Sequence, residues 1–242
     1  MKAVILAAGV ASRLRPLTNH TPKCLLKVGS KNILELTIEN LIANNISEII
    51  IVTGYLENKI RDFINLRFPE LNITFLYNQY YESTNNIYSL WLTRNDLNGD
   101  DMLLMDSDIV FNRKIIEKLC SSEKKNCLAL KRQELSDEEI KVRIDQKGRV
   151  LEISKEVNLS EAAGESVGIE LFSKEVIPAL FKVIDRKVNI ESNVNQFYEA
   201  AFQELIKSSS HEIYIVDITE YFCMEIDTAE DLKLADELYK DK

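Results

Sequence analysis

The sequence predicts an α/β protein with a mainly parallel central sheet. The continuous apolar run at residues 3–6 is typical of a strand that is buried on both faces. Two further strand patterns, 46–53 and 72–77, then alternate with helical patterns over 32–42 and 56–67. Strands joined by single helices at this spacing form right-handed crossovers, which make the strands parallel neighbours.

Shorter elements follow in the second part of the chain. Helical patterns cover 113–120, 176–183 and 194–205, with Phe197 and Tyr198 expected in the core. The predicted strands are 101–105, 127–131, 166–172, 213–216 and 223–226, together with a hairpin formed by 141–145 and 148–154. Asn32 followed by Glu35 resembles a helix cap with an acid in the first turn, and Thr228 and Asp231 form a capping-box pattern that opens the last helix.

Composition and charge exclude several functional classes. The 242 residues carry a net charge of −9, whereas general nucleic-acid binding requires a basic face. Four scattered cysteines without a C-x-x-C pair indicate neither a zinc site nor a disulfide framework. Two histidines leave little for a Ser-His-Asp mechanism. With no signal-peptide pattern and no membrane-length apolar window, we expect a cytoplasmic protein, and the oligomeric state stays open.

The loop after the first strand concentrates positive charge. Small side chains at residues 7–9 let a ligand approach the backbone closely. Arg13 and Arg15 follow, and Lys23 comes directly after Pro22, whose ring fixes the backbone. Backbone N–H groups combined with fixed cations are what a polyphosphate requires.

A polar segment follows the third strand. Thr84, Asn85 and Asn86 are residues that commonly cap helices, and an apolar helical stripe begins at Ile87. The same amides would also lie at the carboxyl end of the sheet, where open α/β sheets bind ligands. The sequence leaves both interpretations open, because one side chain can serve as a cap and as a ligand contact.

Aspartates lie at the ends of two predicted strands. Asp106 and Asp108 follow the strand at 101–105, and Asp227 follows the strand at 223–226. Carboxylates suit Mg²⁺, which takes one or two of them together with phosphate oxygens. Aspartate is also common in turns and before helices, so the residues alone leave a capping role open.

These motifs resemble a known family. The stretches Leu6 to Gly9, Arg13 to Thr18 and Pro22-Lys23 resemble the signature of the sugar-phosphate nucleotidyltransferase superfamily. One departure is Ala11, which stands where the family usually has a second glycine, and we expect only a slight change in the loop. The segment Thr84 to Leu90 is similar to that of bacterial cytidylyltransferases that act on phosphocholine or 2-aminoethylphosphonate.

The resemblance implies a fold and a reaction. The fold is a three-layer α/β/α, Rossmann-like nucleotidyltransferase fold with a mixed central sheet. Residues 1–242 would form a single domain, with hairpin segments around 131–170 as a lid over the acceptor. The reaction is Mg²⁺-dependent transfer of a cytidylyl group from CTP to a small phosphate or phosphonate acceptor. A hexose-1-phosphate enzyme that uses another nucleotide and a non-catalytic nucleotide-sensing relative are the alternatives.

The resemblance also assigns roles to individual residues. Arg13 and Lys23 would neutralise the transferring and leaving phosphates. The remaining assignments are Leu6, Ala8, Gly9, Asn78 and Thr84 for the nucleotide, Asn85, Lys155 and Glu165 for the acceptor, and Asp108 and Asp227 for Mg²⁺, with Asp106 as a further metal candidate. A P-loop kinase and a dinucleotide oxidoreductase are excluded, since neither glycine-rich motif occurs in the sequence.

The acceptor is expected to be a small zwitterion with an ammonium group. A desolvated ammonium must meet carboxylates or aromatic faces. The segments expected near the acceptor offer Glu156, Glu165, Glu170, Tyr80, Tyr81 and Tyr88. Carboxylates suit a primary ammonium and an aromatic cage suits choline, so phosphocholine and 2-aminoethylphosphonate rank close together. Which of these side chains face the site is not decided by the sequence.

Overall fold

The computed structural model of the protein describes residues 1–97, 99–208 and 211–239. Its strands, in chain order, are β1 (Lys2–Ala7), β2 (Lys27–Val28), β3 (Lys31–Asn32), β4 (Glu48–Thr53), β5 (Asn72–Tyr77), β6 (Met102–Asp106), β7 (Ile109–Phe111), β8 (Cys127–Lys131), β9 (Lys141–Ile144), β10 (Val150–Ser154), β11 (Gly164–Phe172), β12 (Tyr214–Asp217) and β13 (Cys223–Glu225). Its α-helices are α1 (Ile33–Ala43), α2 (Glu57–Arg67), α3 (Asn86–Leu92), α4 (Lys114–Cys120), α5 (Ile177–Asp185), α6 (Glu199–Lys207) and α7 (Ala229–Leu238).

The main sheet of the described residues has nine strands and is mixed. Strand β1 lies between β4 and β6 and is parallel to both, and β5 continues the parallel part beyond β4. Strand β11 then pairs antiparallel with β6 and also contacts β8 and β9. Strand β10 pairs with β9 as the predicted hairpin, and β12 adds to β8 in parallel. The predicted mixed sheet is therefore confirmed.

Apolar side chains cover the sheet on both faces. Along β1, Ala3 and Ile5 face the core that α1, α2 and α4 cover, while Val4 and Leu6 face the core under α3, α5 and α6. Each fully buried aliphatic side chain stabilises the fold by roughly 1.5–3 kcal/mol, so a continuous apolar strand is stable only between two helical layers. This arrangement confirms the predicted three-layer α/β/α fold.

The predictions of the helix starts have different outcomes. The capping boxes at Asn32 and Thr228 are present at the first turns of α1 and α7. The predicted helix over 194–205 is wrong in its first part, because α6 begins only at Glu199. The residues before it lie against α3, where the Asn85 N–H donates to the Val194 carbonyl at 2.9 Å. Hydrogen bonds to α3 thus replace the helical ones that the pattern suggested.

The opening loop rests on a third, smaller core. Leu14 and Leu26 from this loop are buried together with Val110, Ile226 and Ala235, which lie on β7, at the end of β13 and on α7. Short 3₁₀ turns carry Arg13 and Lys23. The cationic side chains are therefore held by a packed loop at the carboxyl end of β1.

None of the helices in the described part of the chain has the length and apolar character that a bilayer crossing needs.

Candidate active site

A cleft of about 890 Å³ lies at the carboxyl ends of the parallel strands. All thirteen residues to which the sequence assigned a role line this cleft, namely Leu6, Ala8, Gly9, Arg13, Lys23, Asn78, Thr84, Asn85, Asp106, Asp108, Lys155, Glu165 and Asp227. They come from segments spread over most of the chain. Ligand sites of open α/β sheets lie at this position, so the cleft is the candidate active site.

Opposite charges meet at one end of the cleft. The Lys23 Nζ lies 2.7 Å from Asp108 Oδ2 and 2.7 Å from Asp227 Oδ1. Arg13 donates from a guanidinium nitrogen to Asp227 Oδ2 at 2.9 Å. Burial acts to lower the pKa of Lys23, but its attraction to Asp108 and Asp227 raises that pKa above its ordinary value. We call Arg13, Lys23, Asp108 and Asp227 the paired cluster.

The two aspartates of the paired cluster are brought together by a small two-stranded sheet. Strand β13 pairs antiparallel with β7, and the Ile226 N–H donates to the Asp108 carbonyl at 3.0 Å. Asp108 and Asp227 therefore lie side by side although they are far apart in sequence. Thr228 caps α7 directly afterwards, so Asp227 precedes the cap and its carboxylate is directed into the cleft.

Glu225 joins these aspartates in a group that could hold a metal ion. One oxygen each from Asp108, Glu225 and Asp227 lie within 4.8 Å of one another. Asp108 Oδ1 is buried and has no hydrogen-bond partner among the described residues. Burial and the neighbouring Asp108 and Asp227 raise the pKa of Glu225 to about 8. A trio of carboxylates with an orphaned oxygen fits a hard divalent cation such as Mg²⁺.

Asp106 has a different environment from Asp108. Its side chain is partly buried, and Oδ2 accepts a hydrogen bond from the Tyr198 hydroxyl at 3.0 Å. Asp106 is not a member of the trio with Glu225. Burial, with added repulsion from Asp108 and Glu199, raises the pKa of Asp106 well above its usual range. The chain turns after Asp106, at the end of β6, and the two carboxylates have different partners, Tyr198 for Asp106 and Lys23 for Asp108.

The turn after β1 has the small residues that the sequence indicated. Ala8 and Gly9 line the cleft, and Ala11 adopts a left-handed conformation with φ of 51°. The Thr18 hydroxyl donates to the Ala11 carbonyl at 2.9 Å, which fixes this turn. Left-handed backbone costs a residue with a side chain about 1–2 kcal/mol relative to glycine. This conformation explains why a glycine is usual here, and hydrogen bonding keeps the loop in place with alanine.

The polar segment before α3 is held by its own hydrogen bonds. Asn78 donates to Thr84 Oγ1 at 3.0 Å and to Ser89 Oγ at 3.2 Å, and its Oδ1 accepts from the Tyr80 N–H at 2.9 Å. Asn85 is the N-cap of α3 and accepts from the Asn86 N–H. The capping interpretation is therefore correct for Asn85. Asn85 also lines the cleft, so the two interpretations coexist there.

The segments around 131–170 form the opposite wall of the cleft. Lys155 lies 3.6 Å from Glu138, and its ammonium lies over the Phe197 ring at 5.4 Å from the centroid. Glu165 accepts a hydrogen bond from Gln133 at 2.6 Å. Burial and the neighbouring Glu139 raise the pKa of Glu165 to about 7.

Comparison with known proteins identifies the family. The model of the nucleotidyl transferase family matches residues 2–221. The chain belongs to this family. The predicted resemblance is thereby confirmed. The CTP:phosphoglutamine cytidylyltransferase of Campylobacter jejuni is 27% identical over 97% of this chain and 98% of that protein. The choline-phosphate cytidylyltransferase of Streptococcus pneumoniae is 27% identical over the full length of both.

A solved structure has the same fold as this nucleotidyltransferase. The CTP:phosphocholine cytidylyltransferase of Streptococcus pneumoniae matches with a TM-score of 0.80 and 24% identity, covering 99% of each chain. At this identity the match supports the fold and not the substrate.

Reasoning from sequence missed or misplaced several residues of the cleft. Glu225 was missed, although it ends β13 only two residues before Asp227 and its carboxylate lies close to that of Asp227. Glu199 was also missed, because no local pattern marks it. Phe197 is 44% exposed and lines the cleft, so its expected core position is wrong.

The side chains expected around the acceptor divide into two groups. Glu165 and Tyr81 line the cleft of the nucleotidyltransferase. Glu156 is exposed and lies outside the lining. Glu170 is fully buried behind the cleft wall. Tyr80 and Tyr88 pack edge-to-face on each other, with ring centroids 5.9 Å apart, and are not part of the lining.

Proposed function

We propose that this nucleotidyltransferase transfers a cytidylyl group from CTP to a small acceptor that carries a phosphate or phosphonate and an ammonium group. The observation that carries the proposal is the position of Lys23 between Asp108 and Asp227 at the carboxyl end of the parallel sheet. The preference for CTP rests on the relatives, two of which are named as cytidylyltransferases. The acceptor class rests on the carboxylates that line the other end of the cleft.

The reaction needs positioning and charge neutralisation more than covalent work by the protein. An oxygen of the acceptor's phosphate or phosphonate attacks the α-phosphorus of CTP, and the bond to the bridging β-oxygen breaks. Pyrophosphate leaves with that electron pair, so negative charge builds up on the leaving group. Arg13 neutralises this charge, and Lys23 draws the acceptor and α-phosphate oxygens together. Both cations already lie in the paired cluster.

The carboxylate trio is the proposed site for Mg²⁺. Asp108, Glu225 and Asp227 would hold the ion, since Asp108 Oδ1 lacks a partner among the described residues. A bound Mg²⁺ supplies a positive charge that polarises phosphate oxygens. Asp106 was a further candidate, but its hydrogen bond to Tyr198 favours a supporting role instead.

Backbone and polar groups are proposed to hold the two substrates. The small-residue turn from Leu6 to Gly9 lets the nucleotide approach β1 closely. Asn78 and Thr84, which hydrogen-bond each other, shape the part of the cleft proposed for the base. Lys155, Asn85 and Glu165 remain the proposed acceptor contacts, and the hairpin segments around 131–170 the proposed lid.

An assay of pyrophosphate release tests the proposal. Each of four nucleoside triphosphates is combined with phosphocholine, 2-aminoethylphosphonate, phosphoethanolamine or glucose-1-phosphate in the presence of Mg²⁺. We expect CTP with a zwitterionic acceptor to give the highest kcat/KM, by about tenfold or more, which is about 1.4 kcal/mol of transition-state binding. A tenfold preference for glucose-1-phosphate would support the hexose alternative. Absence of turnover with every pair would support the non-catalytic alternative.

A further inference from the structure

A second group of carboxylates lies at the cleft and behind its wall, apart from the paired cluster. Asp106 ends β6, Glu170 lies on β11 and Glu199 is the first residue of α6. They are close enough that the charges of Asp106 and Glu199 raise the pKa of Glu170 further, after burial. We call Asp106, Glu170 and Glu199 the acidic wall. Three elements from both halves of the chain converge to form it.

Two oxygens of the acidic wall have no hydrogen-bond partner within the part of the chain that the structure describes. Glu199 is 6% exposed and Glu170 is 0% exposed. Glu199 Oε2 and Glu170 Oε2 are buried without a hydrogen-bond partner among the described residues. A buried polar oxygen without a donor costs roughly 1–3 kcal/mol, and more when it is charged. Glu199 lines the cleft, so a ligand in the cleft can reach this side chain.

No cation of the described residues forms an ion pair with the acidic wall. The ion pairs of the described residues include neither Glu170 nor Glu199. Lys155 is the cation that acts on Glu199, but its ammonium pairs with Glu138 and lies over Phe197. Burial therefore prevails and raises the pKa of Glu199 to about 7. An incoming cation would restore the charged carboxylate.

We propose that Glu199, backed by Asp106 and Glu170, binds the ammonium of the acceptor and selects a primary ammonium over a quaternary one. The assignment rests on the proposed cytidylyl transfer. An unpartnered carboxylate oxygen needs a hydrogen-bond donor, and a primary ammonium offers three N–H donors whereas the nitrogen of choline offers none. Choline depends on open aromatic faces. The ring of Phe197, next but one to Glu199 in sequence, already faces the Lys155 ammonium.

A methylation series on the unaltered protein tests this selectivity. Phosphoethanolamine and its N-methyl, N,N-dimethyl and N,N,N-trimethyl forms lose one N–H at each step, and the last form is phosphocholine. With CTP as donor, we expect kcat/KM to fall along the series. The largest drop, about tenfold or more, should come at the trimethyl form, which has no donor. Equal or rising values along the series would overturn the proposal.

The variant Glu199→Gln shows whether Glu199 is responsible. We expect kcat/KM for phosphoethanolamine to fall about tenfold or more, while that for ethyl phosphate, which lacks the amine, changes less than threefold. Glu156→Gln is the matched control, because Glu156 is exposed and lies outside the cleft. An equal loss on both acceptors in a folded Glu199→Gln would overturn the assignment.

The two proposals fail in different ways. If the unaltered protein releases no pyrophosphate with any acceptor, cytidylyl transfer itself is wrong, and the acidic wall loses its acceptor. If it turns over phosphocholine as well as phosphoethanolamine, transfer stands and the selectivity is wrong. Should Glu199→Gln fail to fold, as judged by circular dichroism, the methylation series on the unaltered protein decides alone.

Discussion

The paired cluster and the acidic wall border the same cleft, but charges are balanced only in the paired cluster. In the paired cluster, Lys23 contacts both aspartates at 2.7 Å, and Arg13 adds a second cation. In the acidic wall, Glu170 and Glu199 each have an oxygen without a partner among the described residues. A ligand group at the paired cluster must compete with existing ion pairs. At the acidic wall, a ligand can supply the hydrogen bonds that the described residues do not make.

From this difference we infer that the paired cluster serves catalysis and the acidic wall serves recognition. Charges that are already fixed in the free protein are preorganised, so little reorganisation is needed when charge develops in the transition state. Open carboxylates instead select a ligand by the donors it brings, since a ligand without them leaves the buried oxygens unpaired. We therefore expect changes in the paired cluster to act on turnover. Changes in the acidic wall should act on acceptor choice and on the pH dependence of stability.

Breaking the paired cluster at Lys23 should have the largest effect. Lys23→Ala removes the cation that we propose to lie at the transferring phosphoryl group, so we expect kcat to fall by roughly 10²–10³-fold. The measurement is kcat/KM for pyrophosphate release, with a thermal melt to verify folding. Lys27→Ala is the control, because Lys27 is exposed and outside the cleft. Activity within a few-fold of the unaltered protein would remove Lys23 from the mechanism.

Changing the carboxylate trio should abolish metal binding. Asp108→Asn, Glu225→Gln and Asp227→Asn each replace a charged ligand with a weaker neutral one, so we expect turnover to fall by roughly 10²-fold. Binding of Mn²⁺ to the free protein, followed by the loss of its solution EPR signal, gives a readout independent of activity. Asp62→Asn changes an exposed aspartate outside the cleft and should bind Mn²⁺ normally. Normal Mn²⁺ binding by Asp227→Asn would mean that Asp227 is not a metal ligand and is only the residue before the helix cap.

The acidic wall should make stability depend on pH. The pKa of Glu199 is raised from its ordinary 4.5 to about 7, so between these values the folded protein binds a proton that the unfolded chain has lost. Stability conferred by this proton is present below pH 4.5 and is lost as pH rises through about 7. We expect the free energy of unfolding to decrease by roughly 3 kcal/mol more in the unaltered protein than in Glu199→Gln between pH 4.5 and 7.5.

Urea unfolding of both proteins at several pH values measures this difference. The comparison cancels the titration of all groups that the two proteins share. Parallel pH profiles would mean that Glu199 is not desolvated in the folded protein.

A smaller effect is expected where β11 passes the acidic wall. Gly168 has φ of +70°, and a Cβ there would lie 2.8 Å from Asp106 Oδ2. Gly148 has φ of +76°, but its nearest neighbour would be 3.7 Å away. Both alanine variants should lose about 1–2 kcal/mol from the backbone strain. Gly168→Ala should lose further stability and also activity, because Asp106 must move.

Gly168→Ala and Gly148→Ala are compared by their urea unfolding midpoints and by kcat/KM. Gly148→Ala, which shares the backbone strain and lies outside the cleft, separates strain from contact with Asp106. Equal losses of stability in the two variants would mean that the Asp106 side chain can move away from the new Cβ without destabilising the fold.

Local patterns in the sequence were sufficient for the elements and for much of the site. The period of the apolar residues indicated the strands and helices that build the parallel part of the sheet, because burial on both faces requires a continuous apolar strand. Asn32 and Thr228 marked the starts of α1 and α7 through hydrogen bonds that span only three residues. The signature around Arg13 and Lys23 indicated the family, which residues 2–221 match.

The tertiary structure decided which charges are paired and which are not. Asp106 and Asp108 form one motif in the sequence, yet the turn after β6 directs Asp106 to Tyr198, 92 residues away. The pairing of β13 with β7 brings Glu225 and Asp227 to Asp108. Glu199 reaches the cleft because the chain before α6 is bonded to α3. Charge balance depends on distances in space, and a sequence contains only the local part of that information.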